Sequence, residues 1–184
     1  VRATDGIVHV WRADLAAAGD GLEDLLCADE LARAAQIVSQ HRRVSWARSR
    51  GLLRALLGRY LDRDPRTFDF VLGPHGKPSL YGGTTCVTDL RFNLSHSGRF
   101  ALVAVTAGRD VGVDIECANE RHTVEFLRAW VAREATVKCR GTGLAGAGGS
   151  SKDGLWMSEL DVGPDAIATV AVEGEPCDLH CYLW

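Results

Sequence analysis

The chain has 184 residues, 46% apolar and 24% charged, a balance ordinary for a soluble globular domain that buries its own core. A net charge of −3 and a pI of about 6.1 argue against a general nucleic-acid binder, which carries a strong basic excess. Global disorder is excluded, and no run approaches the roughly 18 apolar residues of a membrane span. The opening VRATDGIVHVWRADL has acids and no apolar stretch, so no export signal is read and a cytoplasmic location is expected. The six cysteines (Cys27, Cys86, Cys117, Cys139, Cys177 and Cys181) are irregularly spaced, without a C-x-x-C, and are read as reduced thiols. Cys177, His180 and Cys181 come nearest to zinc-ligand spacing but are not read as a site.

In chain order, Gly6–Trp11 reads as a strand and Glu23–Leu26 as the start of a short helix. Leu31–Tyr60 carries a helical period, with Leu52, Leu53, Leu56, Leu57 and Leu61 as an apolar stripe, until DRDPR at Asp62–Arg66 stops it. Phe68, Phe70 and Leu72 make a short strand, GPHGKP at Gly73–Pro78 a tight loop, and Gly82–Thr85 another turn. Three β runs follow, at Arg91–Leu94, Phe100–Thr106 and Val111–Ile115. His122–Arg140 reads as a second helix closed by Gly141, Gly143–Gly154 as a flexible Gly/Ser loop, and Leu155–Leu160, Ala166–Val172 and Leu179–Leu183 as final strands. The order β-α-β-β-β occurs twice. It predicts an α+β fold in one domain, 1–184, made of two similar halves, about 1–108 and 109–184, that meet near Ala107–Asp110.

Four segments carry chemistry. In GVDIE, Gly112–Glu116, strand alternation puts Asp114 and Glu116 on one face. Paired carboxylates repel, so a buried pair needs a cation, whereas an exposed strand end tolerates them in water. Trp130, Glu134 and Lys138 are spaced by four and share a helix face; Glu–Lys at that spacing is also the ordinary helix-stabilising pair. FNLSHSG, Phe92–Gly98, puts hydroxyls, an imidazole and backbone amides at a strand end, a setting that cradles phosphates. A Ser–His–Asp triad from Ser95 or Ser97, His96 and Asp114 is the rival, but adjacent strand residues face opposite ways and no G-x-S-x-G elbow is present. Lastly, Leu31–Leu61 holds seven arginines (33, 42, 43, 48, 50, 54 and 59) and no acid. That is either a solvated face or an anion site, with Lys77 adding a cation in GPHGKP.

Taken in order, GPHGKP, FNLSHSG, GVDIE, W-x3-E-x3-K and G-x-G-L at Gly141–Leu144 resemble the Sfp-type 4′-phosphopantetheinyl transferases. R-G-L-L-R at Arg50–Arg54 is similar to that family's first helix, and the match runs from about residue 50 to 144. The resemblance implies two α+β halves in a pseudo-twofold arrangement with coenzyme A in the cleft between them. It also implies transfer of the phosphopantetheine arm to a serine of an acyl or peptidyl carrier protein, releasing adenosine 3′,5′-bisphosphate. Fatty-acid, polyketide and nonribosomal-peptide carriers all remain open. By that likeness Asp114, Glu116 and Glu134 hold Mg²⁺ (or Mn²⁺), Glu134 is the general base, and Lys138 stabilises the leaving phosphate. Ser95 and His96 contact coenzyme A phosphates. Gly76, Lys77 and Pro78 lie at its adenine and 3′-phosphate end, completed by Arg43 and Arg50, and Trp130 packs as core. A monomer is expected, with no nucleic-acid or membrane partner. The chain departs from many relatives in one respect: only thirteen residues, Cys117–Ala129, separate Glu116 from Trp130. Phe126 and Leu127 would then stand in for a missing carrier-facing element. The alternative is a coenzyme A-binding relative without turnover, kept as a regulatory or interaction module.

Overall fold

A computed structural model of the chain describes residues 2–81, 89–142 and 154–184. The turn read at Gly82–Thr85, Cys86, and the stretch 143–153 with the end of the G-x-G-L motif lie outside them. The elements are β1 (Ile7–Asp14), α1 (Ala28–Ala35), α2 (Gln40–Leu61), β2 (Phe70–Leu72), β3 (Pro78–Leu80), β4 (Leu90–Ser97) and β5 (Phe100–Ala107). After a tight turn come β6 (Val111–Cys117), α3 (Val124–Arg140), β7 (Leu155–Leu160), β8 (Ala166–Glu173) and β9 (Asp178–Leu183). No helix among the described residues is long and apolar enough to cross a membrane.

The two halves are topologically alike. In the first sheet β4, β5 and β1 lie side by side, all antiparallel; in the second, β7, β8 and β6 repeat that order. Thus β1-α2-β4-β5 corresponds element by element to β6-α3-β7-β8. The last strand differs from the reading by chain order. β9 runs parallel to β1 from Ile7–Asp178 to Arg12–Leu183, so the C-terminal strand extends the first half's sheet. The helix read as continuous from Leu31 is two helices, because Ser39 ends the connection and caps α2, its hydroxyl accepting the Arg42 amide. α3 is bounded as its caps dictate, with Thr123 accepting the Phe126 amide and Gly141 turning left-handed at φ +64°.

Strand alternation builds the layers. Phe100, Leu102 and Ala104 of β5, with Val8 and Val10, pack against Val113, Ile115 and Val170 of the second sheet. The opposite face of the first sheet (Ala101, Val103, Val105 and Trp11) lies under Leu52, Leu53, Leu56 and Leu57 of α2, the predicted stripe. α3 covers the second sheet through Ala135 and Cys139 on Ala171. The stack is therefore helix, sheet, sheet, helix. α3 comes so close to β6 that a Cβ on Gly112 would collide with the Ala135 carbonyl and the Cys139 amide.

α1 docks on α2 through one acid. Glu30 accepts from Arg50 at 2.7 and 2.9 Å and from Arg54 at 2.6 Å, and Arg54 also donates to the Pro65 carbonyl at 2.9 Å. The Phe70 ring lies under both guanidinium groups, 4.7 and 5.0 Å from its centroid. All three charged residues are buried. Burial acts to raise the Glu30 carboxyl, but Arg50 and then Arg54 outweigh it and hold the group below the usual range.

Two outcomes are expected. Gly112→Ala should lower the unfolding free energy by about 1–3 kcal/mol, read as a shift in urea midpoint, because α3 must move off β6. Glu30→Gln should cost about 3 kcal/mol at neutral pH by leaving two buried guanidinium charges uncompensated. Because the folded-state pKa of Glu30 is depressed, its contribution is present above the ordinary carboxylate range and is lost as pH falls through the lowered value. The gap between wild type and Glu30→Gln should therefore narrow in acid melts.

Candidate active site at the seam between the halves

β4 and β6 are edge strands of different sheets, and side chains rather than a backbone ladder join them. Asn93 Oδ1 accepts the Val113 amide at 2.9 Å. Ser95 Oγ donates to Asp114 Oδ1 at 2.8 Å, and Ser97 Oγ to Glu116 Oε2 at 2.8 Å. From α3, Lys138 Nζ donates to Asp114 Oδ1 at 2.5 Å and to Ser95 Oγ at 3.0 Å. Asp114 and Glu116 thus share a face, as their spacing predicts, and that face meets β4 and α3.

Among the described residues, Asp114 Oδ2 and Glu134 Oε1 are buried with no hydrogen-bond partner. The Glu134 carboxyl is pushed above its ordinary value, first by burial and then by the charge of Asp114, with Lys138 and Arg133 opposing and Glu116 adding a little. A buried carboxyl whose proton affinity is raised by a neighbouring acid, with a free buried oxygen on each, is a setting for a cation. The three carboxylates are not gathered into a ready-made cage, however. Among the described residues no three His, Cys, Asp or Glu side chains form a metal-ligand cluster. In the seam Ser97 holds one oxygen of Glu116, while Ser95 and Lys138 take one oxygen of Asp114. Mg²⁺ commonly takes one or two carboxylates and completes its shell with water and phosphate oxygens, so the donor set fits that ion without a three-acid cage.

Among the described residues, one cavity lies along the seam and another, walled by residues of the first half, adjoins it. One, of about 310 Å³, is lined by Glu134, Lys138, Asn93, Leu94 and the loop from His75 to Pro78. The other, of about 550 Å³, shares Gly76, Pro78 and Leu94 with it and extends to His96, Arg50, Arg33, Trp46 and Phe70. Ser95 and His96 point apart, Ser95 to Asp114 and His96 into the large cavity, so the neighbouring pair does not form a hydrolase dyad. Burial, then the positive charges of Lys138 and Arg42, depress the His96 pKa and keep the ring neutral.

Other residues picked from sequence sit less directly. Lys77 Nζ donates to the Cys139 carbonyl at 2.7 Å and approaches Asp110 at 3.5 Å, tying the GPHGKP loop to the end of α3. Arg50 lines the large cavity with its charge shared with Glu30. Arg43 donates twice to the Ile37 carbonyl and lies on the surface. Trp130 is a correction: it is half-buried rather than core, stacked 6.3 Å from Phe126, which in turn stacks on His122 at 4.7 Å. Leu127 turns inward and is buried, whereas Phe126 is 48% exposed. The reading from sequence missed Glu30, which lies just before the arginine-rich stretch, and gave Asn93 no role. The alternation of Asn93, Ser95 and Ser97 was the signal for the latter.

No family profile matches the chain. The chain is 34% identical over 167 residues to the 4′-phosphopantetheinyl transferase HetI of Nostoc sp., a match covering 75% of this chain and 70% of that protein. A putative 4′-phosphopantetheinyl transferase of Synechocystis sp. is 28% identical over 152 residues, covering 68% and 61%. The 4′-phosphopantetheinyl transferase AcpT of Salmonella typhi is 34% identical over 126 residues, covering 54% and 60%. The chain spans about two thirds of the length of these relatives. With HetI matched over most of both sequences, and with FNLSHSG, GVDIE and the Lys138 face of α3 meeting at one seam, the chain belongs to the 4′-phosphopantetheinyl transferases.

Proposed function

We propose that this transferase moves the phosphopantetheine arm of coenzyme A onto a serine of an acyl or peptidyl carrier protein, with Mg²⁺ as cofactor and adenosine 3′,5′-bisphosphate as the second product. The observation that carries this reading is the pair of buried oxygens without a partner among the described residues, Asp114 Oδ2 and Glu134 Oε1, beside the Lys138 ammonium, with Glu134 and Lys138 lining the small cavity. Asp114 and Glu134, with Glu116, would hold the cation. Bound there, it would neutralise pyrophosphate charge as a Lewis acid.

The chain's own groups supply the rest. Glu134 takes the proton of the carrier serine; its raised proton affinity places it nearer neutrality, where a general base works best. The serine oxygen forms a bond to the pantetheine-bearing phosphorus, and the bond from that phosphorus to the 5′-phosphate breaks. Lys138 stabilises the charge left on the departing phosphate. His96 and Arg50 face the large cavity, which suits the nucleotide end, with Gly76 and Pro78 shared by the two cavities and Lys77 on the small one. Lys77 would act there mainly by fixing the loop to α3, and Arg43 would have to leave Ile37 to take part. Both walls come from one chain, so a monomer suffices, and the substrate supply of the cytoplasm fits the reaction. Phe126, half-exposed on α3, would face the carrier.

Intact-mass spectrometry of apo carrier proteins of the fatty-acid, polyketide and nonribosomal-peptide types, incubated with coenzyme A and Mg²⁺, tests the proposal. A phosphopantetheine mass gain on at least one, lost with EDTA, is expected. Coenzyme A binding without any gain would favour the binding-module reading. Asp114→Ala and Glu134→Ala should each lower transfer at least about a hundredfold. Glu134→Gln should melt no lower than wild type, because the fold disfavours the charge it removes.

A further inference from the structure

β4 carries a second serine that the proposed reaction does not use. Ser97 Oγ accepts the Cys117 amide at 3.2 Å and donates to Glu116 Oε2 at 2.8 Å. The amide occupies a lone pair of the hydroxyl, so the hydroxyl proton is directed at the carboxylate. Cys117 reinforces the contact, its Sγ lying 3.2 Å from the Ser97 carbonyl in space that Gly98 leaves open. Two residues earlier the same device recurs: Ser95 Oγ receives Lys138 at 3.0 Å and donates to Asp114 Oδ1 at 2.8 Å. Hydroxyls one strand repeat apart on β4 each hold one oxygen of carboxylates one strand repeat apart on β6.

We propose that Ser97 is a positioning residue for Glu116, holding Oε2 so that the remaining oxygen is presented to the divalent cation. The proposal rests on the metal reading above. A glutamate has three rotatable side-chain bonds, and ordering it on cation binding costs entropy. An anchor on one oxygen removes part of that cost beforehand and sets the direction of the other. The competing account is that Ser97 only satisfies the edge amide of Cys117. That role would bear on folding and leave cation affinity unchanged.

Mn²⁺ binding followed by electron paramagnetic resonance, with coenzyme A present and no carrier, separates the two. Ser97→Ala should weaken Mn²⁺ roughly tenfold, and Ser97→Thr, which keeps the hydroxyl, should stay within about twofold of wild type. Ser97→Val against Ser97→Thr makes the same comparison at equal volume if Ser97→Ala folds poorly. In a Glu116→Gln background Ser97→Ala should cause no further loss, since it acts through that carboxylate. Unchanged Mn²⁺ affinity in both Ser97→Ala and Ser97→Val would overturn the proposal, as would a full additional loss in the Glu116→Gln background. A wild type that binds no Mn²⁺ would overturn the metal reading itself and this proposal with it, an outcome distinct from equal binding by wild type and variants.

Discussion

Two sheet edges meet along β4 and β6 without a shared backbone ladder, and the rest of the site follows from how that junction is satisfied. Edge strands leave amides and carbonyls in need of partners, and burying them unpaired is costly. Asn93 and Ser97 supply acceptors for the Val113 and Cys117 amides, and Ser95 and Ser97 supply donors for Asp114 and Glu116. The alternate residues of one strand therefore both join the halves and orient the acids. A change that loosens the junction would disturb the acids as well, because the same hydroxyls serve both.

The charge cluster around Glu30 and the one around Glu134 differ in a telling way. Around Glu30 both carboxylate oxygens are engaged by arginines, and the group is held in its ionised form. Around Glu134 the balance is reversed: burial and a neighbouring acid favour the protonated form, and oxygens of Glu134 and Asp114 remain free. A satisfied cluster contributes to docking α1 on α2, whereas an unsatisfied one is a cost to the fold that makes sense only with a ligand. The two helices divide the work accordingly. α2 brings arginine charge to the large cavity, and α3 brings Glu134 and Lys138 to the small one.

The small cavity is walled by both halves, and several contacts cross between them. Lys77 reaches from the first half to the carbonyl of Cys139 at the end of α3, where the helix dipole favours a cation. β9 returns from the second half to lie along β1. Gly112 lets α3 settle on β6 closely enough for Lys138 to reach Asp114. These contacts fix how closely α3 and the GPHGKP loop approach the seam.

Much of this was legible in the sequence because periodicity determines faces. Spacing by two put Asp114 with Glu116, and spacing by four put Glu134 with Lys138. The strand–helix order repeated along the chain foretold the two alike halves, and the leucine stripe of α2 lies where its period predicts. What periodicity does not determine is what lies against each face. Trp130 has the spacing of a core residue, yet the second sheet meets α3 through Ala135 and Cys139, leaving the indole to stack on Phe126. Arg43 and Arg50 share a spacing of seven, but one folds back on Ile37 and the other onto Glu30, twenty residues away. The pairing of β9 with β1, the strap from Lys77 to α3, and the serine–carboxylate contacts across the seam join residues far apart in the chain. Local patterning prepared each partner; only the tertiary packing of two sheet edges and two helices brought the partners within hydrogen-bond reach.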